Sequence, residues 1–232
     1  MADLSTFSIT KKYPAAHPDV LQLYSYPTPN GIKVSAMLEE TGLPYEPHLV
    51  KLNETTTPAF LSLNPNNKIP AILDPNGPGG APMQLWESGA ILIYLAEKTG
   101  MFLPGGAARH QTIQWVMFQM GGIGPMFGQL GFFHKFAGSE IDDPRPRERY
   151  VNEAKRLLAV LEQRLQDRAF IMGDDYTIAD MASWAWVSTI NGYYEAGDLV
   201  GYSDFQAVDR WVQACQSRPA SQAAINIPDP KG

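Results

Sequence analysis

Along the first hundred residues, short apolar runs alternate with stretches of helical period; beyond residue 108 only the helical period remains. "VLQLYSY" (20–26) reads as a short strand. "GIKVSAMLEETGLP" (31–44) places Ile32, Ser35, Ala36, Leu38 and Glu39 around a helical wheel. It stops at Gly42 with Pro44 just beyond, a helix-end signature. "YEPHLVKL" (45–52) is a second strand whose proline favours a sheet edge. "PAFLSLN" (58–64) predicts a short helix, "AILDPNG" (71–77) and "APMQLWE" (81–87) two more strands, and "SGAILIYLAEKTG" (88–100) a helix with Ser88 as its cap. The order β-α-β-α-β-β-α in about 80 residues predicts a small α/β domain on one mixed sheet.

"MFLPGGAA" (101–108) reads as a hinge, with a domain boundary near residue 104. "RHQTIQWVMFQM", "RERYVNEAKRLLAVLEQRLQDR", "TIADMASWAWVSTI" and "FQAVDRWVQACQS" then predict an all-helical second domain. The spans are a polar arm at 1–19, an α/β domain at 20–103 and a helical domain at 109–225. The arm carries two prolines and is expected to be extended, packed on the body or on a partner.

Composition narrows the possibilities. With 232 residues, 44% hydrophobic and 18% charged, the chain can bury a core and is not disordered. A net charge of −6 argues against a nucleic-acid partner, whose binders carry basic stripes. One cysteine, Cys215, excludes an internal disulfide framework and a Cys-rich zinc site, so no metal is expected. Cys215 reads as a small buried apolar residue, and His134, without a partner in register, as a packing or surface residue. The N-terminus lacks the apolar core of a signal peptide, and no run reaches the ~18–20 residues of a membrane span. A cytoplasmic location without a membrane partner is expected.

Several motifs carry candidate chemistry. In "NKIPAI" (67–72) a proline opens a strand. It is either an ordinary trans residue or a cis one that turns the Ile69 backbone outward to pair with an extended peptide. In "WESGA" (86–90) Glu87 and Ser88 stand where a strand hands over to a helix. Ser88 with the free N–H groups of the helix start makes a small anion site, and Glu87 offers an acceptor for an ammonium group; plain helix capping is the competing reading. "DDYTIADMASW" (174–184) is a capping box, Thr177 with Asp180. "QMGGIGPMFGQLGFF" (119–133) is either a loop or tight helix crossing, or a cleft wall with Met126, Phe127, Phe132 and Phe133 lining an apolar pocket. "PRPRERYVNEAKR" (144–156) reads as a solvated face with pairs such as Glu148–Asn152 and Arg149–Glu153.

Together, "PTPNG", "NPNNKIPAI", "ESGAILIYLAEKTG", "GGIGPMFGQ", "ERY" and "YTIADMA" resemble the cytosolic glutathione transferase superfamily from about residue 20 to 220. Within it they resemble the bacterial Nu-class glutathione transferase-like disulfide-bond oxidoreductases. The resemblance implies an α/β thioredoxin-like N-terminal domain plus an all-α C-terminal domain, and a homodimer. It implies that Pro70 is cis and that the Ile69 backbone pairs with the cysteinyl part of glutathione. Glu87 and Ser88 would take the γ-glutamyl end, Thr28 and Asn30 would approach the sulfur, and Arg149 would contact a glutathione carboxylate. Lys68 stands where a charge could steer the glycine carboxylate. Thr55 replaces a glutamine that touches the glycyl end in some relatives, which puts that contact in doubt. Residues 1–19 resemble the arm with which longer members reach across the dimer.

The turn "YSYPTPNG" (24–31) holds no cysteine and cannot run a thiol–disulfide cycle itself. It can host a bound thiol, with hydrogen-bond donors favouring the thiolate. Tyr26, before Pro27, reads as packing. The implied activity is glutathione-dependent reduction of small disulfides, with glutathione or its disulfide in a cleft between the domains. The alternatives are conjugation of glutathione to an electrophile, or non-catalytic glutathione binding.

Overall fold

The computed structural model describes residues 4–231, and the chain divides into two compact units. The first comprises residues up to Met101 together with the segment from Pro219 onward; the second is Phe102–Arg218. The helical domain expected over 109–225 therefore gives up its last residues to the first unit.

In the first unit, α1 (Ser8–Lys12) precedes β1 (Leu21–Ser25), α2 (Pro29–Thr41), β2 (Tyr45–Leu49), α3 (Pro58–Leu63), β3 (Ala71–Asp74), β4 (Met83–Trp86) and α4 (Ser88–Thr99). The sheet runs β2-β1-β3-β4. β1 pairs parallel with β2, and β3 pairs antiparallel with both β1 and β4. The central strands β1 and β3 are buried along their whole length, and Pro47 sits exposed on the edge strand β2, where its missing N–H costs no ladder bond.

In α2, Val34 through Leu38 are all buried. Five consecutive buried residues cover a full turn, so no face is left for water. The cover comes from α4 on one side and, on another, from α11 (Pro219–Ala224), which packs on α2; Ser35 Oγ also donates to the Ile227 carbonyl at 3.0 Å.

From residue 4 onward the arm is not simply extended; residues 1–3 lie outside the described residues. Residues 4–6 form a 3₁₀ turn and α1 packs on α3. Leu4 and Ile9 are buried in a cluster with Tyr24, Phe60, Leu63 and Ile69. Two carboxylates of its own unit hold it there. Glu54 pairs with Lys12 Nζ at 3.0 Å, and Glu46 accepts from the Ala16 and His17 N–H groups at 2.8 and 2.7 Å. Both acids titrate below their usual range, Glu54 through its bond to Lys12 and Glu46 through the two backbone N–H donors, which outweigh its burial.

The second unit contains α5 (Gly106–Phe118), α6 (Gly124–Gly131), α7 (Arg145–Leu165), α8 (Ile178–Asn191), α9 (Gly197–Val200) and α10 (Gln206–Gln216). The first unit's α11 (Pro219–Ala224) follows. The glycine-rich segment is not a loop, and of its apolar side chains Phe133 borders a cavity. It runs helically through π turns at Gln119–Ile123 and Phe132–Phe136 with α6 between them. Its glycines admit side chains of the region around α8. A Cβ on Gly131 would meet the Tyr194 ring at 2.3 Å, and one on Gly128 would lie 3.5 Å from Trp186. Phe127 is in the core, Phe132 is exposed, and Phe133 stacks on Tyr150 at 5.5 Å beside a cavity bordered by Asp142, Asp143, Pro144 and Arg147.

The capping box forms. Thr177 Oγ1 accepts from the Ala179 N–H, and Asp180 Oδ2 accepts from the Thr177 N–H. Asp180 also takes the Ile171 N–H and the Trp211 indole N–H at 2.8 and 2.9 Å. Cys215 is fully buried.

Candidate functional site

Strand register gathers the predicted residues. Tyr24 of β1 pairs with Ala71 of β3, and Ala71 pairs with Trp86 of β4. The turn after β1, the Ile69–Pro70 bond before β3 and Glu87–Ser88 after β4 therefore leave the same end of the sheet. Arg149 lies in the other unit, exposed on α7. Its expected partner Glu153 instead pairs with Arg156, 2.8 Å away, which with Arg149's charge holds the Glu153 carboxyl below its usual range.

Thr28 caps α2: its Oγ1 accepts from the Gly31 N–H at 3.3 Å, and Pro29 fills the first helical position. Accepting uses an oxygen lone pair and leaves the hydroxyl proton able to donate outward. Asn30 follows, half-buried. Gly31 is required by contact: a Cβ there would sit 2.0 Å from the Tyr26 carbonyl and 2.7 Å from Ser25 Oγ. The chain thus folds tightly over the helix start, and Tyr26 packs against the buried cluster as expected.

The Ile69–Pro70 bond is cis, which decides between the two readings of "NKIPAI". Among the described residues, none hydrogen-bonds to the Ile69 N–H or C=O. The preceding loop is built by asparagines that sequence reasoning passed over. Asn64 is buried; its amide donates to the Lys68 carbonyl at 2.6 Å and its oxygen takes the Asn66 N–H at 2.8 Å. Asn66 Nδ2 lies 3.4 Å from Glu87 Oε1. Thr55 is buried with its hydroxyl 2.6 Å from Asn67 Oδ1, so it braces this loop. Lys68 is exposed.

At the start of α4 the expectation needs correcting. Glu87, not Ser88, is the capping residue. Glu87 has φ of 72°, a conformation uncommon outside glycine, and no side chain caps the helix. Ser88 is the first helical residue and is buried. Its Oγ accepts from Lys33 Nζ at 3.2 Å.

Lys33 is the residue that sequence reasoning missed. It sits on α2 with 0% exposure, and burial pulls its pKa down to about 7, opposed by the nearby Glu87 carboxylate. A lysine between Ile32 and Val34, on a helix with apolar residues all round, was the available signal. Among the described residues, no group of three or more His, Cys, Asp or Glu could hold a metal ion, and no helix is long and apolar enough to cross a membrane.

The arrangement offers an open backbone edge, a hydroxyl donor at one helix start, and an acid beside a buried hydroxyl and free N–H groups at another. It suits an extended peptide with an amino acid's α-carbon at one end. The family models for the glutathione S-transferase N-terminal and C-terminal domains match residues 19–97 and 144–214. The chain is 44% identical over 210 residues to disulfide-bond oxidoreductase YfcG of Escherichia coli (strain K12), an alignment covering 89% of this chain and 94% of that protein. A glutathione transferase from Burkholderia graminis, solved with two glutathione molecules bound per subunit, is 66% identical with a TM-score of 0.97, over 99% of this chain and 97% of that one. One from Pseudomonas putida, solved with one glutathione disulfide bound per subunit, is 58% identical with a TM-score of 0.95, over 97% of this chain and 99% of that one. With its sheet, its cis-proline and both family domains in place, this chain belongs to the glutathione S-transferase family.

Proposed function

We propose that the chain is a glutathione-dependent reductase of small disulfides in which bound glutathione supplies the reactive sulfur. The observation that carries this is the convergence of Thr28, Asn30, Ile69–Pro70 and Glu87–Ser88 on one end of the sheet, in a turn region without cysteine. Relatives named as disulfide-bond oxidoreductases, and others crystallised with glutathione or its disulfide, support the reading.

Each residue then has a task. The Ile69 N–H and C=O pair with the cysteinyl backbone as a sheet edge would. Glu87 accepts from the γ-glutamyl ammonium, while Ser88 and the first N–H groups of α4 receive its carboxylate. Lys68 and Arg149 meet the remaining carboxylate charge. The Thr28 hydroxyl and the Asn30 amide donate to the sulfur. Donors to a charged sulfur favour the thiolate, and the start of α2 adds about 0.3–1 kcal/mol in the same direction. A thiol pKa nearer ambient pH enlarges the attacking fraction. In the balanced reaction two glutathione thiols are oxidised to one disulfide. The substrate disulfide gains their two electrons and two protons and leaves as two thiols.

We place glutathione binding in residues 20–103, with the helical half starting at 109 and ending at Arg218, in a cytoplasmic homodimer. The test is glutathione-dependent reduction of 2-hydroxyethyl disulfide set against conjugation of 1-chloro-2,4-dinitrobenzene. Disulfide turnover with little conjugation is expected; conjugation alone overturns the proposal, and so does absence of both.

A further inference from the structure

Lys33 is buried with 0% exposure on α2. An ammonium loses its hydration when buried, and an apolar side chain of similar length would fill the space without that loss. Its Nζ ends 3.2 Å from Ser88 Oγ, directly beneath the start of α4. The groups around it leave its charge finely balanced. From α4 it feels the Glu87 carboxylate. The α11 segment Pro-Ala-Ser-Gln-Ala-Ala brings no titratable side chain. β1 carries only the Tyr24 phenol, and β3 only Asp74, whose carboxylate is taken by Tyr94 and Lys98 at 2.6 and 2.9 Å.

We propose that Lys33 is the positioning residue of a carboxylate subsite at the start of α4: an arriving α-carboxylate is received by Ser88 with the Lys33 ammonium behind it, and binding takes up a proton on Lys33. The inference rests on the glutathione reading above, the carboxylate being that of the γ-glutamyl group. Ser88 acts as the relay. Its oxygen accepts from Lys33 at 3.2 Å, which joins the ammonium to the start of α4 where the carboxylate arrives. Lys33 titrates near 7 in the absence of ligand. An anion close by favours its charged form and moves it upward. Just above pH 7 the complex therefore holds more protons than the free protein. Affinity is greatest at and below pH 7 and falls as pH rises, by up to about tenfold per unit.

Deprotonation of the glutathione thiol has the opposite sign, so the probe is S-methylglutathione. Calorimetry between pH 6 and 9, in buffers of different ionisation enthalpy, reads both affinity and proton uptake. Near pH 7.5 the wild type is expected to take up about half a proton more than Lys33→Met, which binds about tenfold more weakly at pH 7 with a flatter pH profile. A second measurement needs no variant. An analogue with the γ-glutamyl α-carboxylate replaced by hydrogen (S-methyl 4-aminobutanoyl-cysteinyl-glycine) is expected to lose that proton uptake on the wild-type protein. Equal uptake and equal affinity in wild type and Lys33→Met overturn the role of Lys33 and leave the glutathione reading standing. Undiminished uptake with the analogue does the same. No binding of S-methylglutathione by the wild type overturns both.

Discussion

At the scale of single residues, the proposed chemistry divides between side chains that touch a borrowed sulfur and one that works from beneath. Asn30 is the sharper test of the first kind, because Thr28 also caps α2 and its loss would mix stability with activity. Removing one donor to a charged sulfur forfeits about 1.5–3 kcal/mol. Asn30→Ala is expected to lower kcat/KM for 2-hydroxyethyl disulfide about 10- to 100-fold. Cys215→Ser should leave turnover intact, since that thiol is buried in the other unit. Full loss of turnover in Cys215→Ser would overturn a mechanism that needs no protein thiol. Lys33 makes a prediction about stability. Its folded pKa is lowered to about 7, so between pH 7 and about 10.4 the unfolded chain binds the extra proton. Its contribution to stability therefore rises with pH over that window. Thermal melts at pH 7, 8.5 and 10 should show the wild type gaining on Lys33→Met at each step; a constant difference would mean Lys33 does not titrate there. Thr28, Ile69, Pro70, Glu87 and Ser88 were legible because their motifs are contiguous and their placement follows from strand ends. Lys33 was not, because its side chain meets Ser88, a neighbour 55 residues along the chain.

At the scale of elements, what is spelled locally was readable and what depends on a distant neighbour was not. The β-α-β-α-β-β-α order, the αL glycines ending α2 and α4, and the capping box of α8 are all written within a few residues. The box goes further than sequence could say. Asp180 ties the start of α8 to Ile171 and to Trp211 of α10, so the motif also joins helices. Thr177→Ala removes one acceptor and should cost about 1 kcal/mol in thermal or denaturant melts. An unchanged curve would show the hydroxyl to be dispensable. The glycine-rich segment left a loop, a tight helix crossing and a cleft wall open, because the choice depends on Trp186 and Tyr194, which lie close against its glycines. The arm packs on the body, one of the two places expected for it, but through contacts its own residues do not announce. Nothing within residues 1–19 announces that Glu46 and Glu54 will hold it, or that Leu4 and Ile9 will share a cluster with Ile69.

At the scale of the whole molecule, chain order and domain membership part company at residue 219. The C-terminal segment belongs to the sheet-bearing unit, where α11 packs on α2 and Ile227 accepts from Ser35. The predicted helices stop at "FQAVDRWVQACQS", and nothing in residues 219–224 signals which core they join. The consequence is that α2, the helix opened by Thr28 and carrying Lys33, depends on the chain's last residues for part of its burial. Ala224 is fully buried in α11. Ala224→Asp would place an unpaired charge there, which a protein avoids by opening or by protonating the acid. The expected result is local. Hydrogen exchange should accelerate in α2 and α11 while α8 and α10 keep their protection, because those helices have their core in the other unit. Glutathione affinity should fall with it, since α2 supplies the proposed sulfur donors. Uniform loss of protection in both units would mean instead that they unfold as one, and unchanged exchange in α2 would mean that α11 does not hold it.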